Sequence, residues 1–174
     1  MKVSIDAARP DDAAAIAELR NRVADDMTRQ FGQGPWSAQG SKPQVLRQMR
    51  ASRMLVARHE GEAIGTVRLA VPNSHAFDAS AFTTVTSSLY VLGLAVSSEH
   101  RKRGVGRKLV EHAKQIARDR GAQALWLDVF DHPAGAGPFY QRCGFRVVGP
   151  APSASLPLTF FEHSLVEGTN YFGM

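Results

Sequence analysis

Between Val85 and Phe130 the chain passes from an apolar segment, through a turn crowded with Arg, Lys and Gly, into an amphipathic segment and out into a second apolar one. Val85 to Val96 alternates Thr, Ser and Tyr with apolar residues before turning wholly apolar, the pattern of a long strand entering a sheet interior. Val105, Leu109, Ala113, Ile116 and Ala117 then recur at helical spacing, and Gly121 supplies a left-handed C-cap. Ala124 to Phe130 reads as the next strand. Strand, helix and strand in that order form a right-handed crossover between parallel strands, so any fold of this chain must contain a partly parallel sheet.

The flanking segments fit the same layered plan. Val3 to Ala8 reads as a short strand, and Arg9-Pro10-Asp11-Asp12 opens a helix that should run to about Thr28 with Ile16, Leu19 and Val23 on its packing face. Phe31 to Ser37 is rich in helix breakers and predicts a loop, with a second helix near Pro43 to Arg50. Met54 to Arg58 and Ala63 to Val71, separated by His59-Glu60-Gly61-Glu62, predict an antiparallel hairpin. Pro72 to Phe82 predicts an irregular connection. A helix from Ala134 to Arg142, stopped by Gly144, and strands near Phe145 to Val148 and Leu158 to Val166 complete the chain. The expected fold class is α/β, a mixed, partly parallel central sheet flanked by helices. With 174 residues, residues 1–174 are expected to form a single domain.

Composition narrows the function. Apolar residues make up 44% and charged residues 21%, enough for a packed core. The net charge of +5 favours anionic partners. One cysteine, Cys143, can form no internal disulfide and no cysteine-based zinc framework, which predicts a reducing, cytoplasmic setting. Asp6, Arg9, Asp11 and Asp12 interrupt the N-terminus where a secretory signal needs an apolar run, and no window suits a membrane span. The six histidines are scattered without a ligand pattern, so no metal is expected.

The turn from Ser97 to Arg107 carries the chemistry. Gly104 and Gly106 let the backbone approach a ligand closely, and amides from Arg103 to Arg107 open the following helix at the positive end of its dipole. Arg101, Lys102, Arg103, Arg107 and Lys108 concentrate cations there, which points to a polyphosphate; the other reading is a Gly-capped turn with solvated basic residues. A Walker loop needs a Gly-Lys pair, and none exists; a dinucleotide fingerprint needs Gly where Leu109 stands.

Arg101-x-x-Gly104-x-Gly106 after a strand resembles the pyrophosphate-binding signature of the GNAT superfamily of N-acetyltransferases. Ala136-Gly137-Pro138-Phe139-Tyr140-Gln141-Arg142-Cys143-Gly144-Phe145 resembles the family's later Ala-x-x-Phe-Tyr-x-x-x-Gly-Phe block. The resemblance covers nearly the whole chain and is strongest from Leu89 to Phe145. It implies acetyl-CoA as cosubstrate, a primary amine of a small molecule or protein as acceptor, and direct transfer in a ternary complex without a metal. Arg101, Lys102, Arg103, Gly104, Val105, Gly106 and Arg107 would hold the pyrophosphate, and the backbones of Leu94 and Val96 the pantetheine arm. Tyr140 would donate a proton or hydrogen bond to the departing sulfur, as a phenol with a pKa near 10 can.

The base is less defined. Tyr90 stands where some family members carry a carboxylate, so Asp128 on the next strand becomes the candidate, either as base through water or as a site for the amine; otherwise it is a strand-end aspartate bonded to backbone amides. Glu99 and His100 lie near the loop. Pro133 replaces an Asn that contacts the cofactor or helix in many members. Trp36, Phe82 and Tyr90 come from segments that flank the acceptor in this fold, although aromatic residues there also serve as core. Cys143 is read as a helix-end thiol rather than a nucleophile. The alternative function is a non-catalytic acyl-CoA sensor of the same fold. Nucleic acid is not expected as a partner, because the basic residues gather at one turn without a recognised binding motif. No membrane partner is expected either, and the assembly is expected to be a monomer or homodimer.

Overall fold

The computed structural model describes residues 1–72, 79–130, 135–151 and 157–166. The chain divides into two compact units, Met1–Ala70 with Val91–Ala113 and Val71–Tyr90 with Lys114–Met174. Among the described residues the strands are β1 (Ser4–Ala7), β2 (Arg53–His59), β3 (Glu62–Ala70), β4 (Ser88–Val96), β5 (Ala124–Phe130), β6 (Arg146–Pro150) and β7 (Leu158–Ser164). The α-helices among the described residues are α1 (Ala13–Phe31), α2 (Lys42–Ala51), α3 (Val105–Asp119) and α4 (Gly137–Arg142). Parallel and antiparallel pairs coexist, as a mixed α/β sheet requires.

In the first unit the strand order is β1-β2-β3-β4. The β2–β3 hairpin turns at Glu60 and Gly61, whose φ values of 50° and 85° both lie in the left-handed region that a two-residue hairpin turn needs. Helix α1 outruns its expected end at Thr28 and stops at Gly32, where φ is 79° and the Gly32 amide bonds Thr28 O at 2.9 Å. Ser41 caps α2 through Gln44 N. Ala13, Ile16 and Ala17 of α1 pack with Val45, Met54 and Val56 to form the core. Gly65 on β3 lets α3 approach: a Cβ there would lie 3.0 Å from Leu109 Cδ1 and 3.2 Å from Val105 Cγ1. The expected end of this hairpin is off by one residue, since Val71 lies beyond β3 and is 78% exposed.

In the second unit the order is β4-β5-β7-β6, with β4 and β5 parallel from Ser88↔Ala124 to Tyr90↔Trp126. Buried residues on both faces of β5 suit its place between two partners. β4 begins at Ser88 rather than Val85 because the Gln123 side-chain oxygen takes both the amide and the hydroxyl of Thr86, at 2.9 and 3.0 Å. Helix α4 ends as expected at Gly144, φ 80°, where Gly144 N bonds Gln141 O and Phe145 N bonds Tyr140 O. That closure occupies the Phe145 amide, so β6 starts one residue later than the sequence suggests. Helix α4 begins at Gly137 rather than at the expected Ala134, since Gly135 and Ala136 lie outside it; Pro133 and Ala134 themselves fall outside the described residues. The carboxylate of Glu162, 1% exposed, accepts from Thr83 N, Thr83 Oγ1 and Arg146, tying the 79–83 segment to β7 and β6.

Candidate functional site

In the first unit β4 leads into the basic turn. Ser97 N bonds Ile64 O at 2.9 Å, and a short 3-10 turn at Ser98–His100 carries the chain off the sheet edge. The Ser97 hydroxyl and His100 Nδ1 lie 2.7 Å apart, and His100 packs edge-on to His59. Arg101 is pinned, its amide on Ser98 O at 3.3 Å and its Nε on Val96 O at 3.3 Å. Lys102 then takes φ 59° and Gly104 φ 81°, two left-handed residues that turn successive amides outward.

The first backbone hydrogen bond into α3 runs from Lys108 N to Gly104 O, at 3.0 Å. Residues 101–104 form a turn, and among the described residues the amides of Lys102, Arg103, Gly104, Val105, Gly106 and Arg107 make no backbone hydrogen bond of ordinary geometry. A Cβ on Gly104 would meet nothing within 4 Å, so the space over the turn is open. Lys102, Arg103, Arg107 and Lys108 are exposed, whereas Val105, Leu109 and Val110 are buried and anchor the helix. The turn therefore presents unpaired N–H groups, a helix dipole and exposed cations to solvent, and this combination suits a diphosphate. Leu94 and Val96 precede it, both half-buried. Trp36, also in this unit, donates its indole N–H to Gly32 O at 3.0 Å and packs edge-on against Phe31.

The second unit brings the tyrosines and the aspartate together. Tyr90 pairs with Trp126, and Asp128 lies two residues further along β5 on the same face, so the Tyr90 hydroxyl reaches Asp128 Oδ1 at 2.5 Å. Burial, and then the bond to Asp128, raise the Tyr90 phenol above its ordinary value, so it is not a base at neutral pH. Asp128 holds this phenol rather than backbone amides.

Tyr140, on α4, is 7% exposed and sits edge-on between Phe139 and Phe145. Burial chiefly raises its pKa, with smaller contributions from Cys143 and Asp128, so the phenol keeps its proton throughout the neutral range. Cys143 is a buried thiol in no disulfide, and its carbonyl accepts from the buried Lys114. Phe82 is 5% exposed and stacks on Trp126 at 4.5 Å, packing in the core of this unit.

Two features escaped the sequence. Gly93 takes φ 58° in the middle of β4 and is exposed, and Arg20 and Arg68 converge on it. A glycine inside a strand was the available signal, since it marks a bulge or a close approach. Among the described residues no group of three His, Cys, Asp or Glu could hold a metal, and no helix is long and apolar enough to cross a membrane.

The acetyltransferase (GNAT) family model matches residues 17–145, and this chain belongs to that family. Streptothricin acetyltransferase of Streptomyces lavendulae is 38% identical over 73 residues, 42% of this chain and 39% of that protein, so the match spans under half of the relative's length. The Bacillus subtilis N-acetyltransferase YhfO is 30% identical over 148 residues, 83% of this chain and 90% of its own. Among solved structures, yncA of Salmonella typhimurium with acetyl-CoA superimposes with a TM-score of 0.70 at 20% identity, over 99% of both chains, and so shares the fold.

Proposed function

We propose that this chain is an acetyl-CoA-dependent N-acetyltransferase that moves an acetyl group directly to a primary amine of a small molecule or protein. One observation carries the reading: the run of unpaired amides from Lys102 to Arg107 at the start of α3, beside open space at Gly104. Family membership and the acetyl-CoA bound to the structurally similar yncA support the choice of anion. The amides of residues 102–107 would bind the pyrophosphate, with Arg101, Lys102, Arg103 and Arg107 adding attraction. The backbones of Leu94 and Val96 would take the pantetheine arm.

Bound acetyl-CoA supplies a thioester that is reactive without a metal. The chain's own work is orientation and proton movement. The amine nitrogen forms a bond to the acetyl carbon as the carbon–sulfur bond breaks. Tyr140 donates its hydroxyl proton, or a hydrogen bond, to the leaving sulfur, a role that suits a buried phenol with a raised pKa. Asp128 takes the amine proton through water or holds the amine, and Tyr90 fixes the Asp128 carboxylate. Trp36 and Tyr90 would each offer an aromatic wall to an acceptor, whereas Phe82 serves the core of its unit. The single thiol, Cys143, stays reduced in the cytoplasm.

The test is a thermal shift followed by turnover. At 100 times its Kd, acetyl-CoA should stabilise the protein by about 2.7 kcal/mol, raising Tm by about 5–10 °C for a chain of this size. Release of free thiol with a panel of amines and peptides then reads catalysis. No shift removes the cofactor assignment, and a shift without thiol release across the panel favours the acyl-CoA sensor.

A further inference from the structure

Arg20 on α1 and Arg68 on β3 point their guanidinium groups at the same spot. A Cβ on Gly93 would lie 3.7 Å from Arg20 Nη2 and 3.7 Å from Arg68 Nε. Both Nε atoms are buried and have no hydrogen-bond partner. Arg20 is held by neutral groups: Nη1 donates to Gln48 Oε1 at 2.6 Å, and Nη2, the atom nearest Gly93, makes a long contact to Met54 Sδ at 3.9 Å. Among the described residues, neither arginine forms an ion pair.

Two like charges, half-buried and without a counterion among the described residues, are an unfavourable arrangement that an anion relieves. Burial, with the Arg68 charge beside it, pushes Arg20 down to about 10, and burial lowers Arg68 as well. Gly93 beside them is exposed and bent to φ 58°, and contributes no side chain of its own over the pair. The pyrophosphate has its own seat ten residues further on, in a turn where the donors are main-chain amides. Side-chain guanidinium forks instead match the two coplanar oxygens of a carboxylate. Gly93 also directly precedes Leu94, whose backbone the proposed function assigns to the pantetheine arm.

We infer that Arg20 and Arg68, converging on Gly93 with unpaired Nε donors, bind the carboxylate of an amino-acid-like acceptor. This inference rests on the acetyltransferase reading for the word acceptor, and on the arginine geometry alone for the word carboxylate.

Two measurements separate these. In the first, kcat/KM is compared for amines matched with and without a carboxylate, alanine against ethylamine and leucine against isoamylamine, across several such pairs. The acid-bearing member of the best pair should be favoured at least tenfold, mostly through KM. Arg68→Gln should bring the ratio close to one while the acetyl-CoA thermal shift stays unchanged, with Arg68→Lys falling between. An unchanged ratio in Arg68→Gln, or an amine preferred over its acid in every pair, overturns the inference.

In the second, the Nε–Hε NMR signals of Arg20 and Arg68 in the full chain are followed while sodium acetate replaces sodium chloride at constant ionic strength. Both should move along one saturating curve, and the curve should vanish in Arg68→Gln even if Arg20→Gln fails to fold. Flat signals overturn the inference. If acetyl-CoA gives no thermal shift and no amine is turned over, the transferase reading fails by itself, and the NMR titration alone decides the carboxylate site.

Discussion

The turn before α3 and the cluster around Asp128 are built by opposite means. In the turn, the groups offered to a ligand are main-chain amides, left unpaired because Lys102 and Gly104 adopt left-handed backbone angles. Around Asp128 the groups are side chains, already engaged with one another: Tyr90 on Asp128 at 2.5 Å and Tyr140 packed among aromatic rings. A main-chain site tolerates changes of side chain and fails on changes of backbone angle. A side-chain site fails on the loss of a single atom. Binding and proton transfer should therefore separate cleanly under mutation.

The largest effect expected is on Tyr140→Phe, which removes one hydroxyl: kcat should fall about 100-fold or more while acetyl-CoA affinity holds. Steady-state turnover beside calorimetric titration checks both halves, and equal turnover would take Tyr140 out of the reaction. The wild-type rate should also show no loss from Tyr140 ionisation up to about pH 10, because burial raises that phenol. The sign for stability is the same. Below the ordinary tyrosine pKa the phenol is neutral both folded and unfolded; above about pH 10 the unfolded chain gives up the proton first, so stability should fall there. Urea midpoints from pH 7 to 11 would read this.

Next, Gly104→Glu places a carboxylate over the open amides and should weaken acetyl-CoA binding about 100-fold, or about 2.7 kcal/mol, with Tyr140 chemistry untouched. Gly104→Ala sharpens the point. Its Cβ meets nothing within 4 Å, so it should lower stability by about 1–2 kcal/mol through the left-handed angle, with a smaller loss of affinity. Asp128→Asn keeps an acceptor for the Tyr90 hydroxyl and removes the charge. Turnover should drop about tenfold, with the loss smaller at high pH where more free amine is present. The smallest effects belong to the exposed cations: Lys102→Ala or Arg103→Ala should each cost about 0.2–1 kcal/mol of cofactor affinity, fading as salt rises.

Much of the fold was legible because period and punctuation agreed. β5 begins and ends at the residues the sequence names, and Gly121 and Gly144 cap α3 and α4 with left-handed angles of 71° and 80°. Two of the misplaced boundaries, the starts of β4 and β6, share a cause, a hydrogen bond made by a residue distant in sequence or belonging to the neighbouring element. Gln123 captures Thr86 ahead of β4, and the α4 closure occupies Phe145 ahead of β6. The Asp128 environment was half legible: the aspartate stood out, but its partner turned out to be a phenol two strand positions away in register. The arginine pair was invisible, since Arg20 and Arg68 stand 48 positions apart and read as ordinary surface charges.

By itself the sequence determined the local physics: which segments are strands or helices, where glycines permit positive φ, and that a basic turn follows a buried strand. These depend on neighbours within a few residues, so they are written in order along the chain. Only the tertiary structure decided which polar groups would find partners inside the protein and which would be left for something else. The amides before α3 and the two guanidinium groups at Gly93 are alike in that respect. Whether a donor is satisfied depends on what the folded chain brings within about 3 Å of it, and distance along a sequence says little about that.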